Sequence, residues 1–179
     1  SCFNTMKEFI QFIEVLFLLV LMTFIVVSLS YTIFAGAPFI PTSERRMRRM
    51  LEMAGLKKGE RLYDLGAGDG RFVIAAAKLG ATAVGIEINP FQVLWCKLRI
   101  RLAGFSKTAR VVWGDILKQD LSSADVVTCY LFPGMNKLLQ PKLLRELRPG
   151  ARVVTHLFRF HGWKPIATDE KERLYLYKI

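Results

Sequence analysis

Hydrophobic residues are distributed unevenly along the chain, and the longest apolar run lies near its N-terminal end. Residues 15–37 contain no charged side chain. A helix rises about 1.5 Å per residue, so roughly 20 residues cross a hydrocarbon core of about 30 Å. The alternative is a cleaved signal peptide, because Ala35, Gly36 and Ala37 have the small-residue spacing of a cleavage site. The run is longer than the usual apolar region of such peptides, so we expect a retained membrane-spanning helix.

The segment after this run has the period of an amphipathic helix over about residues 43–54. Its apolar residues recur at i, i+3, i+4 and i+7, namely Met47, Met50, Leu51 and Ala54. Thr42 or Ser43 is suited to cap the first turn. Pro38 and Pro41 predict an extended link between this helix and the anchor.

From residue 61 onward, short apolar strands alternate with helical segments. The predicted strands cover residues 61–65, 82–87, 109–113, 125–132 and 152–158, and the predicted helices cover residues 71–79, 90–103 and 135–147. The C-terminal residues predict a closing hairpin. This alternation indicates an α/β fold with a mostly parallel sheet, helices on both faces and an antiparallel C-terminal pair. We expect three parts: an N-terminal segment with the anchor (1–37), a linker helix (38–60) and the α/β domain (61–179).

Length and charge restrict the possible partners. The 179 residues suit one domain of ordinary size, and 26 Lys and Arg against 15 Asp and Glu give a net charge of +11. The arginines in residues 45–49 follow the anchor, so the positive-inside rule predicts a cytoplasmic domain, and we expect these arginines to contact anionic headgroups. Nucleic acid is the less favoured partner, because the chain lacks an RNA-binding aromatic signature and a zinc-finger pattern. Cys2, Cys96 and Cys129 have no metal-ligand spacing, so we expect no metal site and no disulfide framework.

A glycine-rich loop joins the first strand of the domain to its first helix. Residues 64–71 read Asp-Leu-Gly-Ala-Gly-Asp-Gly-Arg, and glycines there allow a sharp turn and a close approach of a ligand. A dinucleotide-binding loop would have glycine in place of Arg71. Asp64 and Asp69 add negative charge, which disfavours phosphate and favours a cation. S-adenosylmethionine (SAM) fits, since it has no phosphate and carries a sulfonium and an ammonium group.

Two acidic residues follow the next two strands and strengthen this interpretation. Glu87 ends the second predicted strand, where a carboxylate can accept hydrogen bonds from both ribose hydroxyls. Asp115 follows the third strand and is placed to accept from the adenine amino group, with Ile116 packing on the ring. The loop and the two carboxylates at successive strand ends predict a SAM site.

These residues resemble the class I SAM-dependent methyltransferases. Within that class, the chain is similar to the small membrane-anchored lysine N-methyltransferases of the mitochondrial ATP synthase c subunit and the adenine nucleotide translocase, with their prokaryotic relatives. The resemblance covers nearly the whole chain and is carried by the anchor and by residues 38–43, 64–71, 83–90 and 158–165. It implies a Rossmann-like methyltransferase domain.

The resemblance also implies roles for two groups of residues. The residues implied to hold SAM are Thr42, Ser43, Asp64, Gly66, Gly68, Glu87, Asn89, Asp115 and Ile116. Among them, Thr42 and Ser43 would close over the methionine end as a lid. The residues implied to border the methyl group and the acceptor are Tyr130, Phe132 and Pro133.

Other conspicuous side chains have structural explanations. A histidine at a strand end is more often a hydrogen-bonded structural residue than a base, so we expect this of His156 and His161. Trp163 is expected to pack on the terminal hairpin. Trp95 and Cys96 are expected to be core residues of the helix that covers residues 90–103.

The sequence therefore predicts a membrane-tethered, SAM-dependent protein-lysine N-methyltransferase with a membrane-associated protein substrate. The alternatives are methylation of a lipid or another membrane-soluble molecule, and a SAM-binding module without turnover. A nucleic-acid amino methyltransferase would carry Asn or Asp before Pro-Pro-aromatic after the fourth strand, whereas residues 131–134 read Leu-Phe-Pro-Gly. We expect a single-pass membrane protein, in the mitochondrial inner membrane if the source is a eukaryote, although the first residues lack an Arg-rich presequence pattern.

Overall fold

The structure is a computed structural model that describes residues 2–34 and 41–179. The chain divides into two compact units, residues 1–38 and 39–179. The first unit contains helix α1 (Cys2–Phe34), and its segment Met6–Val27 is long and apolar enough to cross a membrane. That property rests on length and composition, and a signal sequence shares it. The helix begins earlier than the predicted run, while residues 35–40, with the small-residue site and Pro38, lie outside the described residues.

Helix α2 (Glu44–Ala54) is amphipathic, as the sequence predicts. The Ser43 hydroxyl accepts from the Arg46 backbone N–H at 3.4 Å and caps the first turn. Gly55, in the left-handed conformation with φ 57°, ends the helix. The four apolar residues of the predicted face, Met47, Met50, Leu51 and Ala54, are all buried. Helix α2 therefore packs into the same unit as the sheet.

The arginines of α2 pair with acidic side chains of the domain. Arg45 and Arg46 lie 3.2 and 3.3 Å from Glu172, and Arg49 lies 2.8 Å from Asp169. Arg48 pairs with Glu44 within the helix at 2.5 Å. Exposed pairs of this kind contribute about 0–1 kcal/mol each. The stretch predicted to face lipid headgroups thus attaches α2 to the C-terminal hairpin.

The second unit is built around a seven-stranded sheet in the order β3-β2-β1-β4-β5-β7-β6. Its strands are β1 (Arg61–Leu65), β2 (Thr82–Glu87), β3 (Ala109–Trp113), β4 (Val126–Cys129), β5 (Arg152–His156), β6 (Ala167–Asp169) and β7 (Leu174–Lys178). Strands β1 to β5 are parallel, and β7 runs antiparallel to β5 and to β6. The predicted parallel sheet with an antiparallel C-terminal hairpin is confirmed.

Helices cover both faces of the sheet, as expected for an α/β fold. They are α3 (Arg71–Lys78), α4 (Pro90–Leu102) and α5 (Pro133–Glu146). Buried residues of α2, α3 and α4 belong to one core cluster, and those of α5 belong to a second cluster that includes Tyr175 and Tyr177 of β7. The chain therefore has one core on each face of the sheet.

Two predicted strands are too long. Strand β4 ends at Cys129 rather than at residue 132, and the following helix begins at Pro133, which suits a first helical turn. Strand β5 ends at His156 rather than at residue 158. Leu157 has φ 70°, a left-handed conformation that ends the extended backbone. Apolar side chains continue past both strand ends, so hydrophobicity alone could not locate them.

The prediction for Trp95 is wrong, whereas Cys96 is buried as predicted. The Trp95 side chain is 51% exposed. Helix α4 buries the face formed by Val93, Cys96 and Ile100, and Trp95 projects from the other side of the helix.

Candidate SAM-binding and methyl-transfer site

Polar and aromatic residues meet at the carboxyl edge of the parallel sheet. Asp64 lies near the end of β1, Glu87 ends β2, Tyr130 follows β4 and His156 ends β5. The chain leaves β1 toward β2 on one side, and β4 lies on the other side. This is the switch point at which open α/β sheets bind ligands.

The glycine-rich loop has a backbone that glycine adopts readily. Gly66, Gly68 and Gly70 have φ of 83°, 51° and 78°. The Gly66 and Ala67 N–H groups donate to the Ile86 carbonyl at 2.9 and 3.0 Å. The turn is therefore held against the end of β2.

Glu87 connects this loop to the start of α4. One carboxylate oxygen accepts from the Gly68 N–H at 2.8 Å, and the other accepts from the Asn89 N–H at 2.9 Å. The Asn89 side chain accepts from the Phe91 N–H at 2.9 Å and caps α4. A carboxylate offers about four acceptor positions, so Glu87 keeps capacity for further donors such as a ribose diol.

Asp64 is a buried carboxyl in the centre of the edge. Its side chain accepts a hydrogen bond from the Thr128 hydroxyl at 2.7 Å. Burial raises the pKa of Asp64 from 3.8 to about 7, the Thr128 hydrogen bond opposes this rise, and the charges of Glu87 and Asp69 add to it. A cation beside Asp64 would favour the ionised form, because opposite charges stabilise each other at short range.

Asp69, whose negative charge was expected to favour a cation at the loop, is paired with two arginines. Its carboxylate pairs with Arg71 at 2.8 Å and with Arg99. Burial raises the pKa of Asp69, but the hydrogen bond from Arg71 and the charges of both arginines hold it below its usual value. The charge on Asp69 is therefore balanced within the protein, and Asp64 and Glu87 provide the acidic character of the site.

Arg71 is a site residue that the sequence reasoning did not identify. Besides Asp69, its guanidinium donates to the Thr42 backbone carbonyl at 2.5 Å. This bond ties the segment before α2 to the glycine-rich loop. The available signal was the position of Arg71, which stands where a dinucleotide-binding loop has its third glycine.

The structure separates the two predicted lid residues. Thr42 is buried at 5% exposure, next to the Arg71 contact. Ser43 is exposed, and its hydroxyl serves the helix cap. Only Thr42 has the burial expected of a residue that covers a pocket.

Asp115 and Ile116 lie just beyond the end of β3. The Asp115 carboxylate accepts from the Leu117 N–H at 2.9 Å, and the residue is partly exposed. Ile116 is buried in the core cluster of the α5 face. Both residues are at the strand end where the sequence places the adenine contacts.

Aromatic side chains form the other half of the edge. The Tyr130 ring centroid lies 4.2 Å from that of His156, and the Phe132 ring lies 5.9 Å from Phe158. Phe132 is 40% exposed, and Pro133 opens α5 on the surface. The three residues predicted to border the acceptor thus lie together after β4.

His156 is buried, but it differs from the expected hydrogen-bonded residue. Among the described residues, its Nδ1 has no hydrogen-bond partner. Burial and the nearby charges of Arg46 and Arg173 lower the pKa of His156 to about 4. The imidazole is therefore neutral at physiological pH.

The remaining candidates lie away from this edge or carry no metal chemistry. Trp163 packs on Phe160 and Tyr177, with ring centroids 5.2 and 4.8 Å apart, as predicted. His161 is exposed. Within residues 2–34 and 41–179, no three His, Cys, Asp or Glu side chains are grouped to hold a metal ion.

The strand order and the ligand edge define a class I methyltransferase fold. A profile of the ANTKMT methyltransferase domain matches residues 64–167, more than half of the chain, and the chain belongs to this methyltransferase family. The predicted family is thereby confirmed.

Two relatives agree with this assignment. The chain is 44% identical over 130 residues to a protein-lysine N-methyltransferase of Saccharolobus islandicus, covering 72% of this chain and 81% of the relative. It is 38% identical over 128 residues to the human lysine N-methyltransferase of the ATP synthase c subunit, covering 72% of this chain and 54% of the relative. The chain thus spans about half the length of the human relative.

A solved structure shares both the fold and much of the sequence. The RNA methyltransferase of Salinibacter ruber, in complex with S-adenosyl-L-homocysteine, superimposes with a TM-score of 0.76 at 41% identity. The match covers 78% of this chain and 94% of that one.

Proposed function

We propose that the chain is a membrane-tethered protein-lysine N-methyltransferase that uses SAM as methyl donor. The observation that carries this proposal is the pair of carboxyls, Asp64 and Glu87, placed around a glycine-rich turn at the switch point of the sheet. Its acceptor class rests on the 44% identity to the protein-lysine N-methyltransferase of Saccharolobus islandicus.

The donor set fits SAM. The ligand is a cation with a ribose diol and no phosphate, and it supplies an electrophilic methyl group on a sulfonium. Glu87 has acceptor capacity for the diol, and Asp64 is a buried carboxyl close to the loop in sequence. Asp115, just beyond β3, is proposed to accept from the adenine amino group. Gly66 and Gly68 have no Cβ atoms that would obstruct a ligand at their own positions in the turn. Asn89, which caps α4, is proposed to contact the nucleoside, and Ile116 is proposed to pack on the adenine ring.

The acceptor end is aromatic, and the charges that act on His156 there, those of Arg46 and Arg173, are positive. An acceptor lysine, with an ordinary pKa of about 10.4, must be deprotonated before its nitrogen can attack a methyl group. Desolvation beside Tyr130, Phe132 and Pro133 would lower that pKa. The neutral His156 ring against Tyr130 adds apolar surface and no counter-charge that would retain the proton.

The segment before α2 is proposed as a lid over the donor. Thr42 is buried, and its carbonyl is fixed by Arg71, whose own position next to Asp69 is set by an ion pair at 2.8 Å. Ser43 is exposed, and its hydroxyl only caps the start of α2. The proposed lid is therefore held by the Thr42 backbone carbonyl, and the Thr42 side chain is the part proposed to cover the donor.

The membrane tether is proposed from the segment Met6–Val27. Two relatives are named for lysine methylation of the ATP synthase c subunit and of the adenine nucleotide translocase. We accordingly propose a membrane-associated protein as acceptor, with the catalytic domain on the cytoplasmic side, or in mitochondria in a eukaryote.

One fractionation experiment tests the acceptor class. Membranes and soluble extract of the source organism are incubated with the full chain and radiolabelled SAM, then separated into protein, lipid and nucleic acid. Label in protein, located on lysine by mass spectrometry and absent with Glu87→Gln, supports the proposal. Label in the RNA fraction would favour the activity named for the Salinibacter ruber neighbour. Label in the lipid fraction would favour a lipid acceptor.

A further inference from the structure

The outer face of helix α4 is apolar, although it faces solvent. Four large side chains on it are exposed: Leu94 at 68%, Trp95 at 51%, Leu98 at 45% and Leu102 at 76%. With 3.6 residues per turn, they fall within an arc of about 100°. The opposite arc packs on the sheet through Val93, Cys96 and Ile100. The helix is thus apolar on its inner and its outer face.

A solvent-facing helix normally presents charged and polar residues outward. Two further apolar residues near this helix are exposed: Ile88, just before the start of α4, at 42%, and Trp113, at the end of β3, at 60%. The Trp113 indole N–H donates to the Ile88 carbonyl at 2.9 Å, so these two residues are adjacent. Large exposed apolar side chains grouped on one helix face mark an interaction surface. We call residues 88, 94, 95, 98, 102 and 113 the α4 face.

The charged residues of α4 and of the segment that follows it as far as residue 114 are all of one sign. Residues 88–114 contain no Asp or Glu. Their exposed basic residues are Lys97, Arg101, Lys107 and Arg110. Lys97 and Arg101 border the apolar arc on α4 itself, because their positions on the helix lie next to Leu94 and Leu98.

We propose that the α4 face docks on an anionic bilayer surface. Leucine and tryptophan on one helix face with Lys and Arg at its border are the composition of a helix that lies in the lipid interface. Tryptophan prefers that depth, and basic side chains attract anionic headgroups. The contact would place α4, which starts three residues after Glu87, along the membrane. The proposal rests on the proposed function in one respect, because the tether brings the domain close to lipid. It goes beyond that function by assigning the domain a membrane contact of its own.

Spin labels distinguish lipid from water at this face. Leu98→Cys is labelled in the full chain carrying Cys2→Ser, since Cys96 and Cys129 are buried. The matched control is Leu144→Cys on α5, 52% exposed on the opposite side of the sheet. Both proteins are reconstituted in vesicles of phosphatidylcholine with phosphatidylserine. Collision with oxygen reports lipid, and collision with a water-soluble nickel chelate reports solvent.

The Leu98 label should show several-fold less collision with nickel than the Leu144 label, and more with oxygen. Lys97→Glu with Arg101→Glu should restore nickel access at Leu98, whereas Lys137→Glu on α5 should not. A Leu98 label equally open to nickel, in a chain that floats with the vesicles, overturns the docking and leaves the tether intact. Dipolar broadening between Leu98 labels would instead identify a second copy of the chain on this face and overturn the proposal. A chain that does not float overturns both the docking and the tether.

Discussion

Replacing Asp64 by Asn should change how the stability of the ligand-free domain depends on pH. The Asp64 carboxyl is 5% exposed, and burial raises its pKa from 3.8 to about 7. A raised pKa means that the folded state holds the proton more tightly than the unfolded state. The contribution of this proton to the free energy of unfolding is therefore complete below about pH 4. It decreases as the pH rises toward 7 and is absent above that range.

The size of the effect follows from this difference in pKa. Each pH unit between 3.8 and about 7 corresponds to 1.36 kcal/mol, so the ionised carboxyl lowers the free energy of unfolding by about 4 kcal/mol. Asn has the shape of the neutral acid and keeps an acceptor for the Thr128 hydroxyl. Asp64→Asn should therefore be increasingly more stable than the parent protein as the pH rises from 4 to 7, with no further gain above pH 7.

Urea unfolding of the full chain in detergent micelles, followed by tryptophan fluorescence, measures this difference. All three tryptophans lie in the α/β domain, so the signal reports its unfolding. Thr128→Val removes the hydrogen bond that opposes the pKa rise and should move the transition to higher pH. An unchanged stability gap between Asp64→Asn and the parent at pH 4 and pH 8 would refute the reasoning.

Three further predictions concern the donor site and the anchor. Glu87→Ala should weaken SAM binding by about 1.5–3 kcal/mol, because hydrogen bonds to a charged acceptor are lost, and calorimetry showing equal affinity would remove Glu87 from the site. Arg71→Lys should lower SAM affinity by releasing the lid segment, whereas Ser43→Ala should cost about 0.5–2 kcal/mol of stability and leave affinity unchanged; equal affinity for both variants in the same titration contradicts the lid. Deleting residues 1–37 should preserve SAM binding but slow methylation of a membrane-embedded target, since tethering raises local concentration. An undiminished rate in membranes would show that the anchor does not serve substrate access.

The order of elements and the ligand edge were predictable because they depend on local pattern. Strands β1, β2 and β3 have the predicted bounds, and the glycine-rich loop falls between β1 and α3. Parallel strands bring their carboxyl ends to one edge, so Asp64 and Glu87 could be assigned to a common site without coordinates.

The partners of charged side chains were not predictable in the same way. Asp69 and Asp64 look alike in the sequence, yet Asp69 pairs with Arg99, which is thirty residues away in α4. Arg45, Arg46 and Arg49 of α2 meet acidic residues more than a hundred positions later in the chain. Trp95 was misassigned because α4 carries apolar residues on both faces, and a helical period cannot then distinguish the inner face.

The edge of the sheet divides into a half with carboxyls at its strand ends and a half without them, and this division matches the chemistry proposed for it. Asp64 and Glu87 lie at the ends of β1 and β2, where a cationic donor gains from carboxylates. Tyr130 and His156 lie at the ends of β4 and β5, where burial keeps the imidazole neutral. A carboxylate on that second half would hold an acceptor amine in its protonated, unreactive form. The described residues at the β4 and β5 ends carry none, so the same fold can hold a cation on one side and favour a neutral amine on the other.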